Sequence, residues 1–183
     1  HTCGSDESSV ELELEDNVGV EFDNLKYADF TIVCEDTEIE CHKFVLASKS
    51  PVFEAMLENN LEEVKEGKVK IHDVKVATVK LMLKYMYTGY ISEDSTVMKD
   101  LLIAADKYQM GRLKSICEKK LIAQLKVNNV LENIVFAEKY NAKDLMKVAK
   151  TFLVENKQEV KKIPDWSKPL KDCNPEFVAK LFF

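Results

Sequence analysis

The side chains best suited to metal or thiolate chemistry are Cys34, Cys41 and His42. Cys41 and His42 are adjacent, and a turn at Glu35-Asp36 would fold Cys34 back across a hairpin, so a Cys/Cys/His ligand set is one reading. The competing reading is a packed, reduced core, because strand alternation turns small apolar residues inward and free cysteine behaves as a small hydrophobe. The second is favoured, since His1, His42 and His72 are the only histidines and a cluster has few members to draw on. Glu58, Glu62, Glu63 and Glu66 could pair for acid/base work, but charge runs of this kind are ordinarily solvated helix faces. Tyr85, Tyr87, Tyr90 and Tyr108 could stack on bases, yet their spacing within helical segments favours packing. The phosphate-loop, dinucleotide, nucleophile-elbow and zinc-protease motifs are all missing from the sequence. The expectation is a non-enzymatic protein with no catalytic residues, no cofactor and no metal.

Composition narrows the class. With 183 residues, 46% of them hydrophobic, the chain can bury a core and accommodate one domain, or one plus a small appendage. Only 5 glycines and 4 prolines favour a helix-rich protein over a many-stranded sandwich. A net charge of -6, from 26 basic and 32 acidic residues, argues against nucleic-acid backbone binding. The 5 scattered cysteines form no CxxC pair and suit a reducing compartment. No apolar run approaches the roughly 18 residues that span a bilayer, and no signal peptide opens the chain, so a membrane is not an expected partner. The start at His1, without methionine, suggests a piece of a longer protein.

The positioning elements can be read in order. Residues 1–9 are small and polar and read as a linker or tail. In residues 10–22, Val10, Leu12 and Leu14 alternate as a strand would, whereas Leu14, Val18 and Phe22 fall on one helical stripe; a short extended entry followed by a helix to about Leu25 accommodates both. Residues 28–34 and 37–41 predict a hairpin, and Val69-Lys70-Ile71-His72 a third strand. Between them, residues 42–64 predict two short helices broken at Ser50-Pro51, since serine caps helix amides and proline suits the first helical position. Lys75–Thr88 is apolar around most of its circumference and should be the most buried helix, stopping at Gly89. Tyr90-Ile91 suggests a short edge strand, and Asp94 or Ser95 a cap for a helix bearing Val97, Leu101, Leu102, Ala105 and Tyr108. A helix from Arg112 to about Leu125 follows, with Leu113, Ile116, Cys117, Leu121 and Ile122 inward. Residues 127–157 predict two more helices broken at Asn141, the second turning Leu145, Val148, Phe152 and Leu153 inward. Pro164, Trp166 and Pro169 mark a connector, and Pro175 fits the first turn of a last helix.

Leu61 stands apart as a single leucine between Asn60 and Glu62, at the acidic exit of the second short helix. Physics alone leaves two readings: a side chain folded back on the core, or an apolar knob with an acidic rim that meets a basic helical partner.

The order of elements, together with Tyr27-Ala28-Asp29-Phe30, His42-Lys43-Phe44-Val45-Leu46-Ala47, Ser50-Pro51-Val52-Phe53-Glu54-Ala55-Met56, Tyr85-Met86-Tyr87-Thr88-Gly89 and Leu101-Leu102-Ile103-Ala104-Ala105-Asp106-Lys107-Tyr108, resembles the BTB/POZ domain family. Arg112-Leu113-Lys114 and Cys117-Glu118 extend the likeness, which covers about residues 14–157 and is nearest to the speckle-type, MATH-containing branch. The resemblance implies an α+β BTB/POZ fold over residues 10–125, then a helical extension of the 3-box or BACK kind over 126–183. It further implies a homodimer that binds cullin-3 as a substrate adaptor of a RING ubiquitin ligase, in nucleus or cytoplasm. The alternative within the family is a dimerisation module of a transcriptional regulator that recruits corepressors. Leu61-Glu62-Glu63 matches the family's hydrophobic-x-Glu cullin motif, making Leu61 the anchor and Glu63 its acidic companion, with Met56, Leu57 and Tyr108 beside them. The family dimer would use Leu14, Val18, Phe22 and Val45. Substrate would be captured by a MATH module that this sequence does not contain.

Overall fold

The computed structural model describes residues 26–59, 65–91 and 97–182. Strand β1 (Phe30–Cys34) alternates with Phe30, Ile32 and Cys34 inward, and β2 (Thr37–Cys41) with Ile39 and Cys41 inward. Glu35 and Asp36 connect them with φ of 46° and 64°, the paired left-handed conformation of a tight hairpin turn. The third strand, β3 (Lys68–Ile71), lies parallel to β1 on its other side, giving the order β2-β1-β3. A parallel neighbour needs a crossover, which is supplied by β2 and the helical segment after it.

That segment contains α1 (Lys43–Lys49) and α2 (Pro51–Glu58). Helix α3 (Val76–Thr88) buries Val79, Met82, Leu83, Tyr85 and Met86 and stops at Gly89, whose φ of 70° suits a residue without a Cβ. Its first turn has no local side-chain cap; the Glu35 carboxylate accepts from the Val76 amide at 3.0 Å. Then follow α4 (Met98–Lys107), α5 (Gly111–Ala123), α6 (Val130–Lys139), α7 (Lys143–Glu155), α8 (Lys157–Lys161), a 3₁₀ turn (Lys168–Leu170) and α9 (Pro175–Phe182).

Two buried clusters organise these elements. The larger gathers the sheet and α1 to α5, and reaches Ala137, Ala142 and Leu145. The smaller joins Val130, Ile134, Ala149, Leu153, Val160, Leu170 and Leu181. Leu125, beside the expected boundary at 125–126, packs against both, as does Met146.

Two local expectations are corrected. Tyr90-Ile91 forms no strand: Ile91 drops into the core while Tyr90 turns to solvent, because the left-handed Gly89 has already redirected the chain. On α7 the inward stripe is Leu145, Ala149 and Leu153 at steps of four, so Val148 is 39% exposed rather than core. The entry segment of residues 10–25 and the expected cap at Asp94 or Ser95 lie outside the described residues.

Candidate functional site

Ser50 sets the geometry of α2. Its hydroxyl oxygen accepts from the Phe53 amide at 3.2 Å, the N-cap expected from the Ser50-Pro51 pair. The same hydroxyl donates to the Tyr108 carbonyl at 2.7 Å, tying α2 to the end of α4. Phe53, fully buried, stacks on the Tyr108 ring with centroids 4.6 Å apart and planes within 2°. The inner face of α2 is thereby fixed. Its outer face presents Glu54, Ala55 and Glu58, while Val52, Met56 and Leu57 are half-buried along the flank of the core. Such a face offers apolar edges between carboxylates, the chemistry of a protein contact.

The residues expected to meet a partner are distributed as follows. Met56 and Leu57 sit together on the flank of α2. Tyr108 is only 3% exposed, so it supports α2 from beneath instead of opening onto its surface. Burial raises its phenol pKa, against the opposing pull of Lys107. Leu61 and Glu63 lie outside the described residues, as do Leu14, Val18 and Phe22 of the expected dimer face. Val45 is half-buried on α1. Sequence reasoning passed over its neighbour Phe44, which is 81% exposed. The available signal was helical phase: Phe44 stands two positions, about 200°, from the buried Leu46.

The Cys34, Cys41 and His42 set does not converge. The hairpin register pairs Cys34 with Thr37 and Cys41 with Phe30, at opposite ends of the ladder, on the order of 13 Å apart at the usual strand rise. The Cys34 thiol donates to the Val74 carbonyl at 2.9 Å. Burial pushes the Cys41 thiol up to about 12, so it keeps its proton. The His42 ring lies 2.8 Å from the Tyr87 hydroxyl and 3.0 Å from the Lys26 carbonyl, contacts that lock the start of α1. Of the four tyrosines considered for stacking, Tyr85 and Tyr108 are core, Tyr87 is half-buried on His42, and Tyr90 is exposed.

The three-stranded sheet shares one core with helices α1 to α5, and the outer face of α2 is exposed. Residues 20–125 match the family model of the BTB/POZ domain, and the chain belongs to that family. The fold is the α+β BTB fold followed by further helices. Over 144 residues the chain is 37% identical to the BTB/POZ domain-containing protein At4g08455 of Arabidopsis thaliana, covering 79% of this chain and 59% of that relative. Among solved structures it is similar to the BTB domain of human Gigaxonin, at 26% identity and a TM-score of 0.46, covering 51% of this chain and 76% of that one. It is also similar to the BTB domain of zebrafish PATZ1, at 22% identity and a TM-score of 0.49, covering 56% and 81%. BTB domains are interaction modules that homodimerise and bind partners, and are generally non-enzymatic.

Proposed function

We propose that the chain is the dimerising and cullin-3-binding part of a non-enzymatic substrate adaptor for a RING ubiquitin ligase. The observation that carries this reading is the placement of Leu61-Glu62-Glu63 directly after α2, whose last turn already presents Met56 and Leu57 beside the exposed Glu58. An apolar anchor with an acidic companion at a helix exit suits a helical, basic partner surface. In this reading Tyr108 holds α2 in place from the core side, and residues 126–183 extend the partner face. Leu14, Val18, Phe22 and Val45 supply the homodimer contact. A further module outside this sequence captures substrate, as a MATH domain would in the speckle-type branch, and the assembly works in nucleus or cytoplasm.

Titration of the chain with a cullin-3 amino-terminal domain tests the proposal. The double variant Leu61→Asp, Glu63→Lys is expected to weaken binding by about a hundredfold, since it removes a hot-spot anchor and reverses a charge. A double variant that binds as tightly as the parent overturns the adaptor reading and leaves the corepressor-recruiting module as the alternative.

A further inference from the structure

The outer face of the sheet is a second feature of the domain, and it involves none of Met56, Leu57, Leu61 or Glu63. Alternate residues of the three strands are buried, and those between them turn away from the core. The hairpin register sets Glu40 beside Thr31 and Glu38 beside Val33, while the parallel register sets Lys68 and Lys70 beside the same two residues. The outer face therefore has one row of Glu40, Thr31 and Lys68 and another of Glu38, Val33 and Lys70. The charged side chains of both rows are exposed, and Thr31 and Val33 are half-buried between them.

Charge on this face is sorted by strand. β2 contributes only acid and β3 only base, and the uncharged residues of β1 hold the two columns about 10 Å apart, twice the usual strand spacing. One pair spans the gap: Lys68 Nζ reaches Glu38 Oε1 at 2.6 Å, diagonally across β1. Glu40 and Lys70, at the remaining corners, have no ion-pair partner among the described residues.

This pattern selects its partner. A uniformly acidic or basic surface would be attracted to one column and repelled by the other. A second copy, turned over about a two-fold axis along β1, meets opposite charge at every corner: Glu40 faces the partner's Lys68, and Glu38 faces the partner's Lys70. A two-fold axis across the strands would instead set Glu40 against the partner's Glu38, so only the first orientation fits. In it the strands of the two faces run aligned, as in stacked sheets, and the short side chains of Thr31 and Val33 allow close approach. The Lys68–Glu38 pair of each copy then lies between the unpaired Glu40 and Lys70 of the other, giving a run of alternating charges.

We infer that the outer face of the sheet is a homotypic contact, on which two copies of this chain stack through Glu38, Glu40, Lys68 and Lys70. The contact is isologous, small and exposed, so it is weak alone and sensitive to salt. It shares no residue with the proposed homodimer contact, and so it links dimers into larger assemblies.

Sedimentation equilibrium over a concentration series, at low and at high salt, tests the inference. Self-association that high salt weakens is expected in the parent. Glu38→Lys with Glu40→Lys makes both columns basic, and Lys68→Glu with Lys70→Glu makes both acidic. Each of these variants alone should lose the salt-sensitive association by about tenfold or more, because like charges then meet across the axis. Mixing the two should restore it, since an all-basic face meets an all-acidic one, a rescue that neither misfolding nor the lost intrachain pair can produce. A parent without salt-sensitive association, variants that associate as the parent does, or a loss that mixing leaves unrepaired would each overturn the inference.

Discussion

The Ser50 hydroxyl joins two elements that are far apart in sequence: it donates to the Tyr108 carbonyl at 2.7 Å while its oxygen accepts from the Phe53 amide at 3.2 Å. Because Phe53 and Tyr108 also stack, side-chain packing and a buried polar relay hold α2 against the end of α4 at the same point. The outer face of α2 therefore inherits its position from the core.

Removing the relay should be costly. Ser50→Ala loses the N-cap of α2 and leaves the Tyr108 carbonyl without its donor in a site that is 1% exposed at Ser50. A loss of about 1–3 kcal/mol is expected. Urea unfolding should show a lower midpoint with an unchanged slope; a midpoint equal to that of the parent would mean the relay contributes nothing.

The cysteines should separate by reactivity. Burial pushes the Cys41 and Cys117 thiols up to about 12 and raises that of Cys34, so the nucleophilic thiolate is scarce at all three. Cys173 is only half-buried, its sulfur 3.8 Å from the Pro169 carbonyl. Iodoacetamide at mildly alkaline pH, read by mass spectrometry of peptides, should label Cys173 well before these three. Comparable labelling of Cys41 in the folded chain would contradict the burial that the sheet imposes.

Acid should weaken one link between the turn after β3 and the end of α4. Lys107 binds both oxygens of Asp73, at 2.6 and 2.8 Å, and this hydrogen bond is the main reason the Asp73 carboxyl lies below its ordinary 3.8. Burial of Lys107 would lower its pKa, but the bond to Asp73 and neighbouring charges outweigh that and leave it raised. A depressed carboxyl stabilises the fold above its unfolded pKa, near 3.8, and that contribution disappears as pH falls through the lower, folded value. With the Asp73 side chain 63% exposed, the contribution at neutral pH is about 0.5 kcal/mol after solvent screening. Asp73→Asn should remove it, so the stability difference between parent and variant should shrink steadily below pH 4; a difference independent of pH would exclude the ion pair as its source.

The β1–β2 hairpin, the Ser50-Pro51 break, the Gly89 stop and Pro175 at the start of α9 are legible in the sequence because each rests on residues that act within a few positions. What escaped depends on distant partners. Glu35 caps α3 from 41 residues away, and the stack of Tyr108 under Phe53 joins the end of α4 to α2, a pairing that neither helix reveals by itself. Val148 reads as core because valine is strongly apolar, whereas the residue that α7 buries at that place is the small Ala149. The candidate interaction motif Leu61-Glu62-Glu63 is legible as residue types following α2, and it lies outside the described residues.

The join between the domain and its extension depends on Glu118. This residue of α5 is 6% exposed, and its carboxylate accepts from the Leu145 amide at 2.9 Å, capping α7, whose own N-cap Ala142 has no side chain able to do so. Nearby, Lys114 bridges Asp106 at 2.6 Å and the Tyr140 carbonyl at 2.9 Å, so α5 holds both ends of the α6–α7 turn. Glu118→Ala should cost about 1–3 kcal/mol through a buried amide left unmatched. Glu118→Gln, which keeps an acceptor oxygen, should cost less, because only the charge assistance is lost. Hydrogen exchange of the first turn of α7 should accelerate in the alanine variant while the amides of β1 stay protected, since local opening needs only that turn to detach. If β1 and α7 lose protection together, the extension and the domain unfold as one cooperative unit, and the Glu118 cap is part of the global core instead of a joint between two.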